Sequence, residues 1–272
     1  MCGRRHGALR VAPVTVATRS ASAGVRPSRW DDGQARFYAE TIESSDYVER
    51  VAPLLGLRWD DFLDVGAGSG ALGGRLANAG SRWQAVEPQP AMQALLEQQR
   101  PLLASRGVTL ALHPCTWQEL PAPVSGGQLL AANLGATHHE AGEFFDAMAG
   151  RWQDAMHWVV AAQTGPSTFC LAGFLPPELH GADTRPAFER TLEQLGPTRA
   201  PDDIRFTDWR CRFVFADLHA AQTHFLDRLA LAPDTARAVE VCRFVARHAS
   251  LAAAGVDISC TKGSAVMTWR AH

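Results

Sequence analysis

Three glycines and two carboxylates in the stretch Phe62 to Met92, FLDVGAGSGALGGRLANAGSRWQAVEPQPAM, are the residues of this chain best suited to hold a nucleoside. Gly66, Gly68 and Gly70 follow the apolar run of Phe62, Leu63 and Val65. That spacing suits a tight turn in which the backbone approaches a ligand and a Cβ would occupy the ligand's place. A helix from about Ala71 to Ala79, closed by Gly80, would aim its free N–H groups at the same spot. Trp83 to Val86 reads as a second strand and ends on Glu87, 17 residues beyond Gly70. In a strand–turn–helix–strand unit that spacing brings a carboxylate to the carboxyl end of the neighbouring strand. There it can accept hydrogen bonds from both hydroxyls of a ribose.

Two ligand classes use such a half-site. The loose dinucleotide pattern G-x-G-x-x-G/A is met by Gly66, Gly68 and Ala71. The balance turns on Asp64, two residues before the first glycine and joined to G-x-G-x-G. With it, the segment closely resembles motif I of the class I S-adenosylmethionine-dependent methyltransferases, and Glu87 matches the acidic residue of their motif II. The resemblance implies that Asp64 and the turn hold the amino acid part of S-adenosyl-L-methionine, whose ammonium a carboxylate attracts; a pyrophosphate would be repelled there. It is strong over residues 62 to 92 and extends by pattern alone from Trp30 to Arg270.

The elements around this unit follow from periodicity. Phe37, Tyr38, Ile42, Tyr47, Val48, Val51 and Leu54 supply helical apolar positions ahead of the first strand, and Gly56 can close the second helix. In the family a matching helix pair often covers the cofactor, which makes Trp30, Phe37 and Tyr38 candidates for a lid. A helix from about Pro90 to Gln99 follows Glu87, then a strand from Val108 to Leu112. The next loop resembles the family's adenine-contacting segment, but its acidic position falls on Thr116, with Trp117 after it. A hydroxyl can accept from the adenine amino group, and Trp117 can stack on the ring. The fourth strand, Leu129 to Ala132, ends in Asn133, at a position where many small-molecule methyltransferases carry a polar residue. The implied cofactor site therefore comprises Asp64, Gly66, Ala67, Gly68, Gly70, Glu87, Pro88, Thr116, Trp117 and Asn133.

His138 and His139, on the loop after Asn133, are the candidate bases, because imidazole titrates near neutral pH and the loop should border the methyl group. His113 and His180 are weaker candidates. No N-P-P-aromatic motif and no magnesium-holding cluster of acids is present in the sequence, and no metal-ligand spacing of cysteines occurs.

A helix from about Glu143 to Arg151 and a strand from His157 to Ala162 continue the alternation, which argues for a doubly wound α/β fold. The expected sheet is mostly parallel and seven-stranded, with an antiparallel final strand, as in the class I methyltransferase fold. Residues 164 to 203 then hold six of the 16 prolines and a helix near Arg185 to Leu195. A lid or substrate insertion at 164–205 is expected there. A strand from Trp209 to Ala216, helices around Ala220 to Ala230 and Asp234 to His248, and a last strand from Ser264 to Arg270 complete the reading.

At 272 residues, with 46% hydrophobic and 20% charged residues, the chain fits one α/β domain spanning 30–272. Residues 1–29 contain six arginines and no acid, and are expected to form a disordered tail. A net charge of −2 gives no support to a nucleic-acid partner, and no apolar run approaches a membrane span. Six scattered cysteines point to reduced thiols and a cytoplasmic setting. The function expected is methyl transfer from S-adenosylmethionine to a small-molecule acceptor by in-line displacement. An NAD-dependent oxidoreductase, and an inactive cofactor-binding homologue with a binding or assembly role, are the alternatives. The acceptor and the oligomeric state do not follow from the sequence.

Overall fold

A computed structural model describes residues 31–56, 59–134, 140–165, 171–181, 185–253 and 255–271. The Arg-rich segment 1–29, Trp30 and the pair His138 and His139 lie outside the described residues. The chain begins with α1 (Asp32–Glu43) and α2 (Tyr47–Leu55). The alternating part runs β1 (Trp59–Val65), α3 (Ala71–Leu76), β2 (Ala77–Val86), α4 (Pro90–Ser105), β3 (Thr109–His113), β4 (Gly126–Ala132), α5 (Ala141–Met148) and β5 (Trp152–Ala161). The remainder is α6 (Pro177–His180), α7 (Ala187–Leu195), β6 (Asp203–Phe215), α8 (Leu218–Arg228), α9 (Ala236–His248), β7 (Ala249–Ala252) and β8 (Gly255–Arg270).

The strands form one sheet in the order β3-β2-β1-β4-β5-β8-β6, with β7 paired to the outer half of β8. Strands β1 to β5 are parallel, and β8 enters antiparallel between β5 and β6. The expected seven-stranded path is present, and β7 makes an eighth strand. Neighbouring residues face opposite sides, so Phe62, Leu130 and Val159 join one core while Leu63, Leu129 and Trp158 join the other. Both faces are therefore covered, as a parallel sheet requires.

Several boundaries differ from the expected ones. Helix α3 is six residues long and stops at Leu76, because Gly73 and Gly74 weaken it and the chain turns early into β2. Gly80 does not close this helix: it lies inside β2 at φ +81°, and its N–H donates to the Arg106 carbonyl at 3.0 Å. Helix α4 runs through Pro101 to Ser105, anchored by buried Leu103 in its last turn. Strands β6 and β8 begin well before Trp209 and Ser264 and pair without interruption from Asp203↔Thr268 to Phe215↔Val256.

Phe37 packs into the core rather than over a site: its ring stacks on Phe213 at 5.9 Å and meets His224 at 4.4 Å. The connection after β5 is also tied down. Lys262 Nζ donates to the Ala172 carbonyl, and the Arg237 guanidinium donates to that of Leu179 at 2.7 and 2.9 Å. Among the described residues, no helix is long and apolar enough to cross a membrane.

Candidate functional site

Strand order reverses between β1 and β4, and the crevice outside the carboxyl ends of these two strands is where an open α/β sheet takes its ligand. Asp64 and the glycine turn stand at the end of β1, Glu87 follows β2, and Asn133 follows β4. The turn is pinned by N–H groups of Gly66 and Ala67, which donate to the Val86 carbonyl at 2.8 and 3.0 Å. Gly66, Gly68 and Gly70 all have positive φ, at +73°, +58° and +84°.

These glycines serve different ends. A Cβ on Gly66 would lie 2.0 Å from Leu134 Cδ2, and one on Gly70 would lie 2.4 Å from Leu96 Cδ1, so at both positions a side chain would crowd the protein's own packing. A Cβ on Gly68 would meet nothing within 4 Å. Gly68 therefore faces open space at the mouth of the crevice. One further glycine went unremarked in the sequence: Gly73, where a Cβ would come within 2.4 Å of Asp64 Oδ2.

Asp64 is 2% exposed, and its Oδ2 has no hydrogen-bond partner. Burial pushes its carboxyl up to about 8, and the charge of Glu87 adds to the shift. The Trp83 indole acts in the opposite sense, although its N–H falls outside hydrogen-bond geometry. A buried carboxylate with an unpartnered oxygen is costly, and a cation at this point would relieve that cost. Glu87 is better supported: Oε2 accepts from the Gly68 N–H and Oε1 from the Gln89 N–H, each at 2.8 Å. Burial still raises its pKa, with these two bonds opposing.

Asn133 takes the left-handed conformation at φ +54°, uncommon for a residue with a side chain and found disproportionately at functional sites. Its N–H donates to the Val159 carbonyl at 3.0 Å, and its Nδ2 donates to the Tyr47 hydroxyl at 3.0 Å. Tyr38 hydrogen-bonds the same amide. Burial pushes the Tyr38 phenol up to about 12 and that of Tyr47 well above its ordinary value. Both phenols therefore stay protonated at neutral pH. These are the only two tyrosines of the chain, and both converge on Asn133 from the helices before β1. The sequence placed Tyr47 merely among the apolar helix positions. The signal available was the rarity of the residue and its confinement to one segment.

The remaining expected residues lie around this centre. Ala67 is half-buried in the turn, and Pro88 is exposed beside Glu87. The Thr116 N–H and hydroxyl both donate to the Glu119 carboxylate at 3.0 Å, which commits that hydroxyl locally. The Trp117 ring stands edge-on to Phe144 at 5.4 Å, within the second core. His113 shares its Nε2 with Gln84 Oε1 at 3.2 Å, and burial lowers its pKa. His180 is buried in α6. An open polar cleft of about 490 Å³ lies elsewhere, between the α1–α2 turn and the β6–β8 pair, lined by Ser44, Asp46, Arg210, Arg212 and Asp257. None of the glycine-turn residues lines it. No group of three or more metal-ligating side chains is found among the described residues.

No protein-family model matches this chain, and no curated protein matches it. Solved structures similar to it include the YcgJ protein of Bacillus subtilis, at 14% identity and a TM-score of 0.45 over 82% of this chain and 97% of that one. Magnesium protoporphyrin IX methyltransferase of Synechocystis with bound SAM is 14% identical, with a TM-score of 0.44 over 64% of this chain and 75% of that one. Precorrin-6y C5,15-methyltransferase of Geobacter metallireducens is 15% identical, with a TM-score of 0.39 over 81% of this chain and 84% of that one. The mostly parallel sheet with an antiparallel final strand, β8, is the one the resemblance implies. The fold is that of the class I methyltransferases.

Proposed function

We propose that this chain binds S-adenosyl-L-methionine at the β1/β4 crevice and transfers its methyl group to a small-molecule acceptor. The observation that carries this reading is buried Asp64, whose Oδ2 has no partner, at the head of the same turn in which Gly68 faces open space. That pair suits a cationic ligand with a flat body passing close to the backbone, and it suits a pyrophosphate poorly. When bound, the cofactor supplies an already activated methyl group on a sulfonium.

Asp64 would hold the ammonium end. Each oxygen of Glu87 already accepts one backbone N–H and keeps a lone pair for one ribose hydroxyl, so its carboxylate is oriented in advance. Ala67, Gly66, Gly70 and Pro88 would shape the wall, and Thr116 and Trp117 would border the adenine end. Asn133, fixed by its own backbone bond and by Tyr47, would stand where the methyl leaves. The phenols of Tyr38 and Tyr47 remain protonated, so they can position but not remove a proton. The role of base, where the acceptor arrives protonated, is assigned to His138 or His139. The connection 164–205 is assigned to the acceptor side, because it leaves the sheet at the same carboxyl end.

Calorimetric titration of the purified protein with S-adenosylmethionine, S-adenosylhomocysteine and NAD tests this reading, after checking for carried-over ligand. Micromolar binding of the first two without NAD is expected. Binding of NAD alone would favour the oxidoreductase alternative, and binding of none of the three would favour an inactive homologue.

A further inference from the structure

Strands β6 and β8 pair residue for residue over 13 positions, and Cys211 falls opposite Cys260 in that register. Two residues on, in each direction along the same face, Trp209 stands opposite Lys262 and Phe213 opposite Ile258. Cys211 is fully buried in the core and Cys260 is half-buried opposite it, with the Cys211 thiol near enough to lower that of Cys260. Directly opposed residues of an antiparallel pair have Cα atoms about 4.5 or 5.5 Å apart, and both values lie within the span of a disulfide. The Cβ atoms must still draw slightly together, so a bond here is strained and readily reduced.

The chemistry of the two sulfurs is unequal. Cys260 lies near Lys262, the only lysine of the chain, which is buried over the Phe213 ring at 5.7 Å. The hydrogen bond from Cys211 and the charge of Lys262 lower the Cys260 thiol, against burial. Burial instead raises those of Cys115 and Cys242. Cys260 is thus a partly accessible sulfur whose thiol is lowered, and Cys211 is a protected sulfur directly across the strand pair from it.

We propose that Cys211 and Cys260 form a modification site, a dithiol that a two-electron oxidant of the peroxide class closes to a cross-strand disulfide and a dithiol reductant reopens. The Cys260 thiolate attacks one peroxide oxygen. An S–O bond forms, the O–O bond breaks, and the departing hydroxide takes a proton to become water. The Cys211 sulfur then attacks the sulfenic sulfur: the S–S bond forms, the S–O bond breaks, and the second water leaves with the Cys211 proton. Two electrons pass from the two thiols to the peroxide. This inference does not depend on the cofactor reading and can fail independently of it.

The test is peptide mapping of the native protein after near-stoichiometric hydrogen peroxide, with alkylation of remaining thiols before trypsin. The Cys211–Arg212 dipeptide should appear linked to the peptide 248–262, with intact mass lowered by two hydrogens and the loss reversed by dithiothreitol. Cys115 and Cys242 should be alkylated as in the untreated protein. In Cys211→Ser, dimedone should instead capture a sulfenic acid on Cys260. The proposal is overturned if the native protein yields no such link while Cys260 remains alkylatable, or if links form indiscriminately among all the cysteines.

Discussion

The crevice at the end of β1 and the antiparallel pair of β6 and β8 each bury an ionisable side chain, and they treat it in opposite ways. Asp64 is 2% exposed and leaves one oxygen without a partner; Lys262 is 1% exposed and donates to the Ala172 carbonyl while its charge lies over the Phe213 ring. The lysine ties the post-β5 connection to the sheet and is satisfied by the protein itself. Asp64 has no such partner for its Oδ2, and it heads the turn in which a Cβ on Gly68 would project into open space. A buried ionisable group completed by its own chain reads as scaffold, whereas one left without a partner at the head of a ligand-sized turn reads as half of a binding contact.

Substitutions can break or sharpen this contrast. The largest effect is expected for Gly68→Val, which would fill the cofactor's place and force a β-branched residue to φ +58°. Loss of detectable S-adenosylhomocysteine binding in calorimetry is expected, and unchanged affinity would move the site away from this turn.

Asp64→Asn should separate binding from stability. Removing the carboxylate should weaken cofactor binding by about 1.5–3 kcal/mol, the range for a hydrogen bond to a charged group. The native carboxyl titrates near 8, above its unfolded range, so the folded state retains a proton that the unfolded state has lost. Its contribution to stability is therefore present in acid and falls as pH rises from about 4 to 8. Wild-type protein should lose stability over that window relative to the asparagine variant, measured by urea unfolding. Cofactor affinity should rise by about tenfold per pH unit between 5 and 7 and level off towards 8 and above, because binding requires the ionised form and releases a proton. A flat pH profile would contradict the assignment.

Glu87→Ala should weaken cofactor binding by about 1–3 kcal/mol through lost charge-assisted hydrogen bonds. Unchanged affinity would place the ribose elsewhere. Lys262→Met is the counter-case. It should lower unfolding stability by about 1–3 kcal/mol, from the unpaired buried carbonyl and the lost cation–π contact, and leave cofactor affinity intact. A matching loss of affinity would show that the two regions are coupled. The smallest effect is expected for Tyr47→Phe, about 1 kcal/mol of stability for one hydrogen bond to Asn133. Its turnover should fall more than its affinity, and equal losses in both would argue against a positioning role for Asn133.

The glycine turn was legible because its chemistry is local: Asp64, the three glycines and Glu87 lie within 24 residues and belong to one strand–turn–helix–strand unit. The alternation up to β5 was legible for the same reason. The lengths of β6 and β8 were not, since their outer halves gain strand structure only from pairing with each other, and Lys262 in an otherwise alternating run disguises a buried face. A strand partner some 50 residues away leaves no local periodic mark beyond alternation.

The chain's own order of residues determined that a carboxylate precedes a glycine turn and that a second acid follows the next strand. Only the tertiary structure decided which glycine faces a void and which merely accommodates Leu134 or Leu96, because that depends on side chains brought in from the segment after β4 and from α4. It also decided that two tyrosines before β1 meet Asn133 after β4, and that Cys211 meets Cys260. Those are contacts between distant segments, fixed by sheet order and register rather than by any spacing along the chain.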